Sequence, residues 1–351
     1  MVKRRGAFDI GSGATKLQVS DVSAVGALTK TLFGEERPCA FGADWLRSND
    51  GCLSNEIQEK GIQIMKDLKI VGDGLGVQEY SVIATEVFRK AANGHLFLER
   101  VRSMGMRVTL VSQEIEAELG YATAVAYNDG GPRTCIAWDS GGGSFQISTV
   151  DPDDSSDDGV SRVRTISESA PESKKLMMYL GTIGSSIATA TLIETLQGRK
   201  LREVATPNPV SIVDANRLIE ALEKMMDPDV PPWLRNAPDV VAIGGPNSIF
   251  QLACTVLTEK RKPVDGAMPE GGKVSSFTMA DVRLAIEECV DRDDLYLQKY
   301  LVFPNADPAT IVVPKLCLLY SVMKHTGIGR VKAVDCIGSC GGILITNRLF
   351  A

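Results

Sequence analysis

Gly6-Ala7-Phe8-Asp9-Ile10-Gly11-Ser12-Gly13 and Ala137-Trp138-Asp139-Ser140-Gly141-Gly142-Gly143-Ser144 decide the fold, because each runs from an apolar stretch through an aspartate into a glycine-rich turn. Arg5–Ile10 and Thr15–Ser20 flank the first turn, and Thr134–Trp138 and Ser144–Val150 flank the second. Each copy therefore reads as a hairpin with the glycines at its tip. Outward from the first, a third strand is predicted near Ala27–Phe33 and a helix begins after Ser54, where Ile57, Ile64, Met65 and Leu68 recur at helical spacing. Strands at Tyr80–Ala84 and Arg107–Val111 then alternate with helices at His95–Met104 and Glu114–Ala126. The same order follows the second turn, with a third strand at Val160–Ile166, helices at Ile183–Leu196, Asp214–Met226, Ile249–Leu257, Met279–Cys289 and Ala309–Lys324, strands at Val240–Ile243 and Val331–Cys336, and a last helix opened by Gly341-Gly342. One plan stated twice predicts an α/β chain of two related mixed sheets with helices on both faces. Gly130-Gly131-Pro132 marks the expected boundary, giving domains 1–128 and 129–351.

Composition narrows the chemistry. The 351 residues are 44% apolar and 23% charged, close to globular averages, so disorder and fibrous repeats are excluded as classes. Asp151, Asp153, Asp154, Asp157 and Asp158 form one acidic run, and 44 acidic residues less these five leaves 39 against 38 basic ones. The body is neutral, without the broad basic footprint that duplex nucleic acid requires. The run reads most simply as a solvated loop; as a calcium site it lacks the ligand spacing and terminal Glu of an EF-hand. Only His95 and His325 are present, so a Ser-His-acid triad or multi-His metal cage has little to work with. The eight cysteines include no pair at two-residue spacing, which points to reduced, mostly buried thiols in a cytoplasmic protein. Met1-Val2-Lys3-Arg4-Arg5 is basic like a signal peptide, but Asp9, Lys16 and glycines follow instead of an apolar core. No run of about 18 apolar residues suggests a membrane span.

What remains is carboxylates, glycine-rich backbone, Lys and Arg. A glycine turn lets backbone N–H groups converge on an anion at close range, and an aspartate ending the preceding strand can hold hydrated Mg2+ beside a phosphate. One such turn is satisfied by the needs of the turn alone; two in matching positions favour phosphate. Leu180-Gly181-Thr182-Ile183-Gly184 and Ile243-Gly244-Gly245-Pro246 each precede a helix and are open to the same reading or to a purely steric one. No Walker A sequence occurs. Lys260-Arg261-Lys262 reads most simply as a solvated helix end and otherwise as a surface path for a polyanion.

Gly6–Gly13, Ala84-Thr85-Glu86-Val87-Phe88-Arg89-Lys90-Ala91-Ala92-Asn93, Val111-Ser112-Gln113-Glu114-Ile115-Glu116-Ala117-Glu118-Leu119-Gly120-Tyr121 and Asp139–Ser144 occur in this order, and together they resemble the exopolyphosphatase and guanosine pentaphosphate phosphohydrolase (Ppx/GppA) family. The likeness is strong over about the first 150 residues and thinner beyond, and the chain is similar to the short two-domain form of the family. It implies a duplicated actin-like fold of the sugar kinase, Hsp70 and actin superfamily, ribonuclease H-like, with an interdomain cleft. It also implies removal of terminal phosphate from inorganic polyphosphate or a guanosine pentaphosphate, with Mg2+, and a homodimer. By family pattern Glu116 stands where a carboxylate activates water, which suits a helix on which Glu114 and Glu118 share one face and Glu116 another. Arg89 matches the family's arginine; a guanidinium fork can meet two phosphate oxygens, whereas an ordinary helical arginine is merely solvated. Lys16 stands where the family has a basic residue, and is either a phosphate contact or the exposed position of an alternating strand. On this reading Asp9 and Asp139 hold the metal, and Ser12, Gly13, Lys16, Gly141, Gly142, Gly143 and Ser144 hold phosphate. The chain departs from the family at Gly13, Gln113, Ile115 and Gln146, and Cys340-Gly341 replaces its Arg-Glu pair. Two rival readings are an ATP-dependent kinase or ATPase of the same superfamily, and a catalytically weak polyphosphate or nucleotide sensor, the latter motivated by Ile115 and Gln146.

Overall fold

The computed structural model describes residues 2–128, 135–150, 176–235, 237, 239–262, 272–303 and 308–350. The expected boundary at Gly130-Gly131-Pro132, the acidic run and the strand at Val160–Ile166 lie outside the described residues. The first sheet contains β1 (Lys3–Ile10), β2 (Ala14–Val22), β3 (Leu28–Pro38), β4 (Glu79–Ala84) and β5 (Arg107–Leu110), in the order β3-β2-β1-β4-β5. β1 pairs antiparallel with β2 and parallel with β4, β2 pairs antiparallel with β3, and β4 pairs parallel with β5. The second sheet contains β6 (Ala137–Ser140), β7 (Phe145–Thr149), β8 (Met177–Gly181), β9 (Asp239–Ile243), β10 (Ser276–Thr278) and β11 (Arg330–Ala333). Its order, β10-β11-β9-β6-β7-β8, repeats the first sheet's as β8-β7-β6-β9-β11 and adds β10 as an antiparallel edge.

β1 is buried on both faces from Arg5 onward, and its side chains alternate between two cores. Phe8 and Ile10 enter a core with Phe41, Met65, Leu68 and Phe97. This core is roofed by α1 (Phe41–Arg47), α2 (Asn55–Gly74), α3 (Glu86–Lys90) and α4 (Gly94–Arg102), where the rings of Phe41 and Phe97 meet edge-on at 5.2 Å. Ala7 enters a second core with Ile83, Leu119, Cys340, Ile343 and Leu344. That face is covered by α5 (Gln113–Tyr127) and, from the far end of the chain, the short helix Cys340–Ile345. Asp9 shares the parity of Ala7, so the alternation sends its carboxylate toward the face that α5 covers.

The chain forms two compact units: Met1–Asp139 with Gln146–Leu180 and Val334–Ala351, and Ser140–Phe145 with Gly181–Ala333. In the first, the C-terminal segment is locked to β1. Arg5 Nη1 donates to the Leu344 carbonyl at 3.1 Å and to Asn347 Oδ1 at 2.9 Å, and its guanidinium lies over the Phe350 ring at 4.3 Å. Gly342 N donates to Thr123 Oγ1 at 2.7 Å, and a Cβ at Gly342 would meet the Leu119 carbonyl at 2.1 Å, so only glycine lets this helix approach α5 so closely. In the second unit, α6 (Ser185–Ala190) runs into a π-helical turn, Thr191–Leu196, so the helix expected over Ile183–Leu196 starts later and is not regular throughout. α7 (Ile212–Met225), α8 (Ile249–Arg261), α9 (Met279–Cys289), α10 (Asp294–Tyr300) and α11 (Val312–Thr326) follow. The helix Cys340–Ile345 of the first unit is α12. At the end of α8, Lys260 pairs with Glu288 and Lys262 with Glu259. None of the eight cysteines is in a disulfide, and all but Cys52 are buried. No helix among the described residues is long and apolar enough to cross a membrane.

Candidate active site

The two glycine hairpins are built alike. Gly11 N donates to the Ala14 carbonyl and Gly141 N to the Ser144 carbonyl, each at 2.9 Å, closing tips of the same size. Behind the first tip, Gly42 N and Cys39 N donate to the carbonyls of Ser12 (2.7 Å) and Gly13 (3.0 Å); behind the second, Ser185 N and Ser186 N donate to those of Gly141 (3.2 Å) and Gly142 (2.8 Å). A trans peptide carries its C=O and the next N–H on opposite sides. Tying back the Ser12 carbonyl therefore turns the Gly13 N–H away from that support, and tying back those of Gly141 and Gly142 turns the N–H groups of Gly142 and Gly143 away from α6. Successive outward N–H groups are the nest that an anion needs. A Cβ at Gly13 would meet nothing within 4 Å, and one at Gly141 only the Ser144 carbonyl at 3.6 Å. Packing within the fold does not demand glycine at either place, which leaves room for a ligand as the reason. Gly184 differs, since its Cβ would lie 2.4 Å from the Gly142 carbonyl and 2.5 Å from Gly143 N. The turn before α6 thus buttresses the second tip, with the Ser185 and Ser186 N–H groups spent on it; Gly244, whose Cβ would lie 2.4 Å from Ser248 Cβ, is likewise steric.

In the first unit, acidic groups gather around two cations. Asp9 and Lys16 are direct partners in the antiparallel ladder of β1 and β2, so their side chains share a face, and Lys16 Nζ lies 2.9 Å from Asp9 Oδ2. Lys16 also stands opposite Glu36 of β3. Burial works against its charge, but Asp9, Glu36 and Asp139 outweigh burial and raise the lysine above its ordinary value. Of the two readings of Lys16, the one as an exposed strand position is excluded; it is paired inward. Ser112 caps α5 by accepting from Ile115 N, which starts the helix so that Glu114 is exposed, Glu118 reaches Arg348 at 2.8 Å, and Glu116 is turned inward at 8% exposure. Arg89 Nη1, from the end of α3, donates to Glu116 Oε1 at 2.5 Å and to the Val111 carbonyl. Burial, reinforced by Asp139 and Asp9 and opposed by Arg89, pushes the Glu116 carboxyl up to about 8.

A carboxyl raised from 4.5 to about 8 by folding favours the native state while protonated. Its contribution is complete below pH 4.5 and is lost as the pH rises through about 8. Glu116→Gln removes the titration, so its melting temperature should rise relative to wild type between pH 5 and pH 9. Scanning calorimetry across that range checks the sign; a difference independent of pH sinks it.

The donor set suits a hard divalent cation. Asp9 and Asp139 offer carboxylate oxygens, both act on Lys16 and on Glu116, and Glu36 Oε2 is buried with no hydrogen-bond partner among the described residues. Among the described residues no three His, Cys, Asp or Glu side chains converge into a ready-made cage.

Asp9, Lys16, Arg89, Glu116 and Asp139 thus lie in one unit with mutual contacts or fields, whereas Gly141, Gly142, Gly143 and Ser144 belong to the other. Gln146 is buried in β7 at 2% exposure. Three participants escaped the sequence reading. Glu86 accepts from Ser12 Oγ at 3.1 Å and pairs with Lys90, placing a carboxylate beside the first tip. Its signal was a charged residue directly after Thr85 at the start of a short helix. Gly338 and Ser339, in the loop before α12, reach Asp9, Lys16 and Asp139; the only signal was a Gly-Ser ahead of a glycine pair.

Two sheets repeat one strand order, each with a glycine hairpin whose first strand carries an aspartate, in a duplicated α/β fold. Residues 19–162 match the Ppx/GppA phosphatase family. The chain as a whole is similar in fold to a Ppx/GppA family member of Aquifex aeolicus, with 19% identity, a TM-score of 0.66 and coverage of 99% of this chain and 98% of that one. It is similar to an exopolyphosphatase of Cytophaga hutchinsonii, with 15% identity, a TM-score of 0.70 and coverage of 99% and 98%. It is also similar to an exopolyphosphatase-like protein, with 16% identity, a TM-score of 0.72 and coverage of 100% and 99%.

Proposed function

We propose that this protein is a phosphoanhydride hydrolase that releases terminal phosphate from inorganic polyphosphate by in-line attack of water. The observation that carries this reading is Glu116: a carboxyl at 8% exposure, held by Arg89 and raised to about 8 in the field of Asp9 and Asp139. A base is most effective when its pKa lies near the working pH, and a surface glutamate has no such tuning. The likeness to exopolyphosphatases supplies the substrate class. The outward N–H groups of the two tips bind phosphate oxygens. Glu116 takes the proton that the attacking water must lose. Arg89 orients Glu116 through Nη1, and the remaining donors of its fork are suited to the equatorial oxygens of the reacting phosphoryl group. Asp9 and Asp139 would hold Mg2+, which when bound would supply neutralisation of charge on the phosphate oxygens. Guanosine pentaphosphate ends in the same bond type and is a second substrate to assay, and eight cysteines outside any disulfide suit a reducing compartment such as the cytoplasm.

Phosphate release from a polyphosphate of defined length at saturating Mg2+ tests the assignment, and tight binding without release overturns it. Asp9→Asn and Asp139→Asn should each raise the Mg2+ concentration for half-maximal rate by about tenfold or more, since losing a ligand costs at least what losing its supporting hydrogen bond does. An unchanged Mg2+ requirement in both would remove them from the metal.

A further inference from the structure

We propose that Gly338-Ser339 is a positioning clip for the two metal carboxylates, Ser339 orienting Asp139 and Gly338 leaving the space in which Lys16 closes on Asp9. The inference rests on the hydrolase reading above for the metal's role. Ser339 Oγ donates to Asp139 Oδ2 at 3.0 Å across 200 residues of sequence, and Ser339 is 3% exposed. Serine stands there at the N-cap of α12, where its hydroxyl ordinarily accepts from the first turn of its own helix. It makes no such bond; one first-turn donor, Gly342 N, goes to Thr123 Oγ1. The hydroxyl has been diverted from a local capping duty to a distant carboxylate. The neighbouring residue makes the same point for the other acid. Gly338 has φ +54°, the left-handed region that favours glycine, and a Cβ there would meet Lys16 Nζ at 2.7 Å, Lys16 Cδ at 2.8 Å and Asp9 Oδ2 at 2.9 Å. A single turn of chain therefore touches both carboxylates. The next residue, Cys340, is anchored by its Sγ 3.5 Å from the Ala7 carbonyl, so the clip is tied to the strand that carries Asp9.

A hydrogen bond to one oxygen of a ligating carboxylate fixes its rotamer and plane before the metal arrives, and losing such a support typically costs about 10- to 100-fold in metal affinity or activity. The test is titration calorimetry of Mg2+ into the substrate-free protein. Ser339→Ala should weaken Mg2+ binding about 10- to 100-fold, and Ser339→Cys, which keeps the volume and loses the strong donor, should weaken it by a similar factor. Ser339→Cys decides the matter even where the alanine variant does not fold. A cysteine variant that binds Mg2+ within about twofold of wild type overturns the clip, because that loss is well below what a supporting bond contributes. Wild type that binds Mg2+ but releases no phosphate sinks the hydrolase reading and leaves the clip standing.

Discussion

Glu116→Gln releases phosphate from polyphosphate about 10²- to 10⁴-fold more slowly than wild type, the range general-base removal produces, while polymer affinity stays close to that of wild type. The substitution suits the test because glutamine keeps the volume and can still accept from Arg89 Nη1, so the helix start at Ser112 and the Val111 contact remain. Only the proton-accepting capacity disappears. The wild-type rate should climb with pH as the carboxyl ionises through about 8. It should reach its plateau at lower pH as Mg2+ increases, because a cation held by Asp9 and Asp139 cancels two of the charges that help to raise Glu116. Stopped-flow detection of phosphate, with polymer affinity measured in parallel, checks both. Wild-type turnover in the glutamine variant would mean that water is activated elsewhere.

Gly184→Ala is expected to damage fold and catalysis together. Gly184 has φ −139° and ψ −175°, which alanine accepts, so the effect is steric. The added methyl would stand 2.4 Å from the Gly142 carbonyl and 2.5 Å from Gly143 N, against backbone that cannot rotate away as a side chain could. The second tip must move by about 1 Å, a misplacement that can cost about 10²-fold in rate. Overpacking of this kind destabilises by about 1–3 kcal/mol. Gly141→Ala should separate the two effects, since its methyl meets only the Ser144 carbonyl at 3.6 Å. That variant keeps its melting temperature and loses phosphate binding. Thermal melts beside polyphosphate titrations resolve the pair, and a Gly141→Ala protein with full affinity would show that the second tip does not hold phosphate.

Much of the fold is legible from short stretches. The two-residue period of Phe8, Asp9 and Ile10 makes β1 a strand with different partners on each face, and the matching glycine runs announce the repeated hairpin. Ser54 and Ser112 start α2 and α5 by capping bonds three residues long. The inward turn of Glu116 follows from helical periodicity once that start is known. Short elements carried too little periodicity to be found: α1, α3, β10 and α10 were all absent from the sequence reading, since elements of three to seven residues complete at most two turns or a single alternation.

The amino-acid sequence by itself determined the duplicated hairpin plan, the α/β class and the residue types available for chemistry, because these depend on neighbours within a few positions. Only the tertiary structure decided that Lys16 closes on Asp9, that Arg89 turns onto Glu116, that Gly184 supports the second tip, and that Ser339 abandons its own helix for Asp139. Each of these is a contact between groups whose separation along the chain carries no local signal. The Asp139–Ser339 bond spans 200 residues, and contacts of Arg5 with Leu344 and of Thr123 with Gly342 hold α12 against β1 and α5.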